Sequence, residues 1–423
     1  MPGGIAGGIQ RLVAAVRRHQ LQPWVGGLAA CAAVAVLAAQ WFAPTHGKNY
    51  DPGASDTEIK IGNIMPYSGP ASAYGTIGKV EAAYFRMINE QGGINGRKIN
   101  FVSLDGAASP PKTVEMARRL VEQEQVLLIS GSPNTAANTA IQAFMNEHKV
   151  PQLFVLSGAH HFNNPASFPW TTGFLPPYSF EGTLYARHIL QHTPNARIGV
   201  LYQNDDFGKD LLQGLKDGLG AKAGMIVAAL SYEISAPTVD SQIVQLKGLG
   251  LDVLVDFAFP KATTQAIRKA YDIGWKPVHY IFTGSRSRDS VLLPAGLEKS
   301  AGIISSGYFK DVTDPALAND PAVQAWTAFM KKYYPEGSLI DGSNVSGYLA
   351  AEALFHVLRQ AGDILTRENI MKQAAGLKDV QLPLLLPGIT LNTSPTDYAP
   401  LESLQLMRFD GQNWVLFGEV MGR

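Results

Sequence analysis

From residue 58 onward, apolar and polar residues follow two alternating periods. Lys98 to Leu104 alternates apolar and polar side chains, which is typical of a half-buried strand. The stretch before it has apolar residues three and four positions apart, on one helix face: Ile77, Val80, Tyr84, Met87 and Ile88. Because strand-like and helix-like stretches keep alternating, the sequence predicts parallel sheets with helices on both faces.

Residues 59–98 form the clearest unit of this pattern. A strand from Ile59 to Met65 leads into a loop rich in Ser, Gly and Pro. The helix that follows ends at Gly92 and Gly93, because glycine tolerates the left-handed conformation that closes a helix. Open α/β sheets hold ligands in such loops, between the carboxyl end of a strand and a helix. An ordinary strand–helix–strand unit without a ligand explains the pattern equally well.

A second series of the same kind follows an irregular segment. Residues 165–178 are rich in proline and aromatic side chains, which favours a crossover over a regular element. Beyond it, strands are predicted at Arg197–Tyr202, Asp252–Phe257 and His279–Phe282, with helices between them. Two similar series joined by a crossover suggest two lobes.

The first 45 residues differ from the rest of the chain. Three arginines precede an uncharged apolar run from Trp24 to Ala43, which is the layout of a secretory signal. We expect cleavage near Ala38 or Ala39, although an uncut membrane anchor with its N-terminus inside is also compatible with this length. A lipoprotein cleavage box ending at Cys31 and a buried core helix are less favoured alternatives. Each export route leaves the remainder outside the cytoplasm, after a polar linker over residues 46–57.

Composition excludes several classes of protein. Charged residues make up 17% and apolar residues 46%, which argues against disorder, and 35 basic residues balance 35 acidic ones. Without a basic stripe, nucleic acid is not an expected partner. The single cysteine allows neither an internal disulfide nor a thiolate metal cluster.

Motifs for an enzyme are also missing from the sequence. It has no G-x-S-x-G elbow, P-loop, H-E-x-x-H or G-x-G-x-x-G motif, so we expect neither catalysis nor a cofactor. His188 and His192 lie four apart on a predicted helix, as a metal-binding pair would. Since no acidic or thiol partner stands at ligand spacing, we interpret the pair as a solvated helix face.

The order of several segments resembles that of a known family. They are residues 59–66, 67–70, 73–75 and 92–98, Asp105, Tyr202–Gly208, Asp256–Pro260, Gly302–Ile304 and Met407–Gly411. Together they resemble the branched-chain-amino-acid-type solute-binding proteins of ABC transporters, the type I periplasmic binding proteins. The resemblance covers about residues 57–420.

This resemblance implies an α/β fold of two Rossmann-like lobes, each a parallel-dominated sheet flanked by helices. A hinge that the chain crosses three times, near residues 178, 307 and 380, would join them. The first lobe would comprise residues 58–177 and 308–380. The second would comprise residues 178–307 and 381–423.

Two polar loops are candidates for holding a ligand. Asn134 and Thr135 stand where a strand gives way to a helix N-terminus, whose free N–H groups suit a carboxylate. They could equally serve only as helix caps. Gly158, Ala159 and His160 follow the next strand, where an ordinary turn is the alternative. The resemblance implies that these two loops bind the ligand's carboxylate.

Aromatic residues are the next candidates. Tyr74 matches a family position that covers the ligand's side chain. Phe207 matches a position of the second lobe that is usually tyrosine, and Phe257 falls near another aromatic contact. For Tyr74, packing on its own lobe is the alternative.

Departures from the amino-acid-binding members bear on the ligand. Acidic residues that hold the α-ammonium there correspond to Tyr178 and Ser285 here, and Arg286 and Arg288 make the region basic. A buried ammonium without a carboxylate partner costs several kcal/mol. We therefore hypothesise a carboxylate without an α-amine, aromatic or otherwise hydrophobic. A branched-chain or other hydrophobic amino acid remains the alternative, with the arginines facing solvent.

The predicted function is the solute-binding component of an ABC uptake system. A monomer in the periplasm, or one tethered to the inner membrane by residues 24–43, would capture a small molecule between its lobes and deliver it to a membrane permease. The sensory domain of a receptor is a second possibility. An enzyme is a third, because a fold does not determine a function.

Overall fold

The computed structural model describes residues 47–423. The predicted signal or anchor at residues 24–43, with Cys31, lies outside the described residues. Within the described part, no helix combines the length and apolar character needed to cross a membrane.

Strands and helices alternate through most of the described chain. The strands are β1 Asn49–Tyr50, β2 Glu58–Met65, β3 Lys98–Asp105, β4 Leu128–Ser130, β5 Gln152–Val155, β6 Thr171–Gly173, β7 Ile198–Gln203, β8 Ile226–Tyr232, β9 Val253–Phe257, β10 Val278–Ile281, β11 Ile304–Gly307, β12 Ile364–Leu365, β13 Ser403–Phe409 and β14 Trp414–Gly422. The α-helices are α1 Gly75–Glu90, α2 Pro110–Arg118, α3 Thr135–Glu147, α4 Tyr178–His192, α5 Asp206–Leu219, α6 Asp240–Gly248, α7 Pro260–Asp272, α8 Leu293–Ala295, α9 Leu297–Ser300, α10 Pro321–Tyr333, α11 Gly342–Ala361 and α12 Arg367–Ala374.

Two large sheets organise these elements. The first has the order β3-β2-β4-β5-β6 with every neighbour parallel. The second has the order β14-β13-β11-β10-β9-β7-β8, in which only the β11–β13 and β13–β14 pairs are antiparallel. Each sheet is the centre of one lobe, so the predicted two-lobed α/β architecture is confirmed.

The chain passes between the lobes three times. It leaves the first sheet after Gly173 and enters the second at Ile198. After Gly307 it returns to the first lobe, where α10 and α11 pack on α1. It re-enters the second sheet at Ser403. This return is later than the predicted crossing near residue 380, and the backbone N–H of Tyr398 still donates to Oδ1 of Asn163. The lobe boundaries drawn from the resemblance stay a prediction.

One short strand escapes the sequence pattern. The segment predicted as an irregular crossover contains β6, which pairs with β5. Three residues are too few to show a period. The strand is held in place by long-range bonds, since the backbone N–H of Phe154 donates to Oγ1 of Thr172 at 2.9 Å. The formation of β6 therefore depends on tertiary contacts rather than on the local sequence.

Candidate functional site

A cleft lies where the carboxyl ends of both sheets face each other. It holds about 650 Å³ of empty space, counting the part open to solvent. On the first lobe it is lined by residues that follow β2, β4 and β5, among them Tyr74, Asn134 and Leu156. On the second lobe the lining follows β9, β10 and β11. This is the position where α/β sheets hold ligands, because the loops at the strand ends converge there.

Arg286 supplies the one charged side chain among the described residues that line this cleft. The residue is 6% exposed, and its guanidinium carbon lies 4.2 Å from the centre of the Phe309 ring. Its Nε and Nη2 atoms are buried without a hydrogen-bond partner. Burial lowers the pKa of this guanidinium below its usual value. Free donors on a buried cation can pair with an anion, and the planar fork of a guanidinium matches the geometry of a carboxylate.

No carboxylate of the described chain lines the cleft to accompany this arginine. Glu181 is buried in the second lobe, but its Oε1 accepts from Tyr185 Oη at 2.7 Å and from the backbone N–H of Thr283 at 2.8 Å. Asp341 accepts from Oγ of Ser287 and caps the first turn of α11. Both acids are thus engaged by the protein. The cleft offers no counter-charge for an ammonium group.

Asn134 contributes a second free donor, from the first lobe. Its Oδ1 accepts from the backbone N–H of Ala137 at 2.9 Å and caps α3. The residue is 3% exposed, yet its Nδ2 has no partner. Its backbone φ of +80° is a conformation that asparagine adopts more readily than most residues. The cap fixes the orientation of the side chain and leaves the amide N–H₂ as an unused donor.

Aromatic rings form the walls between these polar groups. Tyr74 meets Phe259 edge-on at 5.3 Å between ring centres, and its hydroxyl donates to the carbonyl of Gly284 across the cleft. Tyr178 lies edge-on to Phe282 at 5.6 Å. Phe207 packs behind Phe259 at 4.8 Å and is fully buried. Such walls suit an apolar or aromatic ligand body.

Four of the predicted site residues line the cleft: Tyr74, Asn134, Tyr178 and Arg286. Two others lie directly behind the lining. Phe207 supports Phe259 and Phe282, and Ser285 donates to the carbonyl of Ala258 at 2.6 Å. The solvent-facing alternative for Arg286 is wrong because Phe309 covers its guanidinium.

The other predicted site residues point elsewhere. Thr135 shares a hydrogen bond with Ser157, and Ala159 is buried beside the same hydroxyl. Gly158 packs against the carbonyl of Pro176, so this loop is closed by the protein itself. Phe257 is fully buried and stacks on Tyr185.

His160 is a clear departure from the predicted carboxylate subsite. Its side chain is 75% exposed, and its Nδ1 lies 2.9 Å from a carboxylate oxygen of Asp210 on α5. Its backbone N–H donates to the same carboxylate. The partner stands 50 positions away in sequence, on the other lobe, and no local pattern could have revealed it. His160 joins the two lobes outside the cleft lining.

Aromatic lining residues that follow strands of the second lobe were missed from the sequence. Phe259, Phe282, Tyr308 and Phe309 all line the cleft. Phe282 follows β10 directly and Tyr308 follows β11 directly. The rule that ligand loops follow strand ends could have found them, had it been applied to every strand of the second series.

The histidine pair on α4, predicted to form a solvated helix face, is only half solvated, since His192 is exposed and His188 is buried. His188 is 7% exposed, its ring stacks on that of His192 at 4.1 Å, and its Nδ1 lies 2.6 Å from the hydroxyl of Tyr280. The ring centre of Phe417 also lies 5.4 Å from that of His188. Within residues 47–423, no group of three His, Cys, Asp or Glu side chains is arranged to hold a metal ion.

Glu181 gives a testable pH dependence. Burial raises its pKa from 4.5 to about 7, against the opposing effect of its hydrogen bonds. Between these pH values the folded protein keeps a proton that the unfolded chain has lost, so the free energy of unfolding falls as pH rises. We expect Glu181→Gln to make this decrease smaller without abolishing it, because burial also raises the pKa of Glu352 to about 7. Urea unfolding from pH 4.5 to 7.5 measures the change. Glu298→Gln, on an exposed residue, is the control and should keep the wild-type profile.

The sequence is similar to those of known binding proteins. The model of a family described as periplasmic binding protein matches residues 58–413. Leu/Ile/Val-binding protein homolog 7 of Brucella abortus (strain 2308) is 23% identical over 347 residues, covering 77% of this chain and 83% of that protein.

Solved structures show the same fold. A branched chain amino acid ABC transporter protein of Thermus thermophilus with bound valine superposes with a TM-score of 0.77 at 16% identity, over 88% of this chain and 98% of that one. A fatty acid ABC transporter substrate-binding protein of Thermomonospora curvata gives a TM-score of 0.74 at 19% identity, over 90% and 96%.

Proposed function

The chain belongs to the periplasmic binding protein family, and on this basis we propose that it captures a small carboxylic acid lacking an α-amine in the cleft between its lobes. Members of this family bind solutes and are not enzymes. The ligand's apolar body, aromatic or aliphatic, would pack between Tyr74, Tyr178 and Phe259.

The observation that carries this proposal is the unpaired guanidinium of Arg286. A buried cation whose donors have no hydrogen-bond partner costs free energy, because it has lost its water and the nearby carboxylate of Asp311 makes no hydrogen bond with it. A carboxylate bound to Nε and Nη2 would recover that energy through two charge-assisted hydrogen bonds. The recovered free energy would stabilise the complex of protein and ligand.

The absence of a lining acid argues against an amino acid. An α-ammonium group placed in the cleft would be buried close to Arg286 with no carboxylate to pair with it. Its desolvation would oppose binding. The relatives named for leucine, isoleucine and valine therefore do not fix the ligand of this chain, whereas a fatty acid, as named for the Thermomonospora curvata protein, is an acid without this amine.

Contacts between the lobes support capture by closure. The hydroxyl of Tyr74 reaches Gly284, and His160 reaches Asp210. A ligand that bridges both lobes binds the closed form better and shifts the population towards it. We propose that the closed form, outside the cytoplasm, delivers the ligand to the membrane permease of an ABC transporter. The monomeric state and the N-terminal tether stay predictions.

A matched pair of ligands tests the choice between acid and amino acid. Leucine and 4-methylpentanoate differ only by the α-amine, as phenylalanine and 3-phenylpropanoate do. We expect the acid of at least one pair to bind about 100-fold more tightly than its amino acid, since a buried unpaired charge costs several kcal/mol. Isothermal titration calorimetry of the purified protein measures both. The proposal would be contradicted if leucine and phenylalanine each bound as tightly as their amine-free counterparts.

A further inference from the structure

The free polar atoms of the cleft are all hydrogen-bond donors. Among the described lining residues, the buried side-chain atoms without a partner are Nε and Nη2 of Arg286 and Nδ2 of Asn134. Neighbouring hydroxyls are satisfied by the protein: that of Thr283 donates to the carbonyl of Ser306, and that of Ser287 donates to Asp341. The hydrogen bonds that these three unpaired atoms can still make each need an acceptor from the ligand.

The two sets of donors come from different lobes and border separate small cavities. Asn134 also borders a small cavity at the carboxyl end of β2, beside Pro66 and Thr113. Arg286 borders another small cavity, beside Lys310 and Trp414. These two cavities share no lining residue. The edge-on pair of Tyr74 and Phe259 lines the cleft that connects them.

We propose that the ligand carries, besides the carboxylate bound at Arg286, a second group that accepts a hydrogen bond from Nδ2 of Asn134. The ligand class is a hydrophobic acid with an oxo, ether, hydroxyl or second carboxylate group at its far end. This inference rests on the proposed function, because it assumes that Arg286 binds the first acidic group.

The two polar atoms of the Asn134 side chain, Oδ1 and Nδ2, cannot exchange roles. Its Oδ1 is used by the helix cap, so it cannot turn to accept from a ligand without leaving Ala137 N–H unpaired. Its Nδ2 is left as a donor in a nine-tenths buried position. A ligand without an acceptor leaves this N–H₂ group unsatisfied, which costs binding free energy.

Matched probes measure the contribution of the second acceptor. Benzoate is compared with its three methoxy isomers, and hexanoate with 5-oxohexanoate, by isothermal titration calorimetry. An ether or ketone oxygen only accepts, so it can pair with N–H₂ and not with a carboxylate. In the wild-type protein we expect the acceptor-bearing member of a pair to bind about tenfold more tightly than its parent, from one hydrogen bond to a buried donor.

Two substitutions remove the donor while keeping the backbone. Asn134→Asp retains the cap oxygen and replaces N–H₂ by a second oxygen, and Asn134→Gly tolerates the φ of +80° without charge. In both variants the ratio of affinities within a pair should fall to about one or below. Both members of a pair are acids, so any general repulsion by the new aspartate affects both and cancels in the ratio of their affinities. Asn319→Asp, on an exposed residue, should keep the wild-type ratio.

The outcomes separate this inference from the proposed function. If benzoate or hexanoate binds through Arg286 and no acceptor-bearing counterpart gains affinity, the second subsite is refuted and the proposed function stands. The second subsite is also refuted if the acceptor-bearing probe keeps its higher affinity in both Asn134 variants. If none of these acids binds the wild-type protein, the proposed function fails first, and the inference fails with it.

Discussion

Replacing Arg286 with methionine is expected to weaken carboxylate binding by at least about 100-fold, because a charge-assisted pair in a buried cleft contributes several kcal/mol. Methionine fills a similar volume and leaves the apolar walls in place. The ligand's carboxylate would then be buried against Phe309 without a counter-charge. Calorimetric titration of the tightest acid from the ligand pairs measures the loss.

The same substitution should not destabilise the empty protein. Since Nε and Nη2 of Arg286 have no partner, the folded protein carries the cost of burying this charge. Removing it should leave the melting temperature of the ligand-free protein unchanged or higher, while the increase caused by ligand disappears. Arg286→Lys should retain part of the affinity, as a point charge without the planar fork.

Arg187→Met provides the control for this prediction. Arg187 is exposed on α4, the helix that begins at Tyr178 of the cleft. Its replacement should change neither affinity nor the response to ligand. Unaltered acid binding by Arg286→Met would refute the role of Arg286 and with it the proposed anchoring of the ligand.

Gly214→Val is expected to destabilise the fold by about 4 kcal/mol, beyond the usual cost of overpacking, because the added atoms meet backbone rather than a movable side chain. A Cβ at this position would lie 2.1 Å from the carbonyl oxygen of Ser179 and 2.5 Å from its Cα. Gly182, on the facing helix, has the same close contact with Leu211 and Leu215. Helices α4 and α5 therefore pack with their backbones nearly touching.

This packing matters for the cleft because both helices begin beside it. Tyr178 is the first residue of α4, and Phe207 is the second residue of α5. Their rings lie 5.2 Å apart. Forcing the helices apart would separate these rings, so we expect Gly214→Val to lose ligand affinity even where it still folds.

A helical glycine with free space around it supplies the comparison. Gly248 ends α6 and has no atom within 4 Å of its would-be Cβ. Gly248→Ala should be neutral or slightly stabilising, as helix propensity predicts. Urea unfolding of both variants at one pH gives the two free energies. An equal effect at positions 214 and 248 would show that close packing of α4 and α5 contributes nothing.

Strand-to-helix periodicity was enough to predict most of the fold. The alternation in residues 59–98 appears in the structure as β2, α1 and β3. The irregular segment at 165–178 hid β6, because three residues cannot display a period and its pairing with β5 is long-range. Local pattern thus predicts long elements well and short, tertiary-dependent ones poorly.

The site shows the same division. Arg286 was found because a basic residue near an expected acid is a visible departure in the sequence, and Asn134 because it precedes a helix. The loop from Gly158 to His160 looked equally suited to a carboxylate. Instead, Gly158 packs against the carbonyl of Pro176, and His160 pairs with Asp210 outside the cleft.

By itself, the sequence determined the alternation of strands and helices, the two lobes and the basic character of the second lobe's cleft loop. These features follow from the spacing of apolar residues and from residue type, which act over a few positions of chain. Only the tertiary structure decided which loops meet, that Phe309 covers Arg286, and that Asn134 keeps a donor without a partner. Those outcomes depend on contacts between residues far apart in the chain. The spacing of apolar residues shows that a residue is buried, but it does not show which residues it contacts.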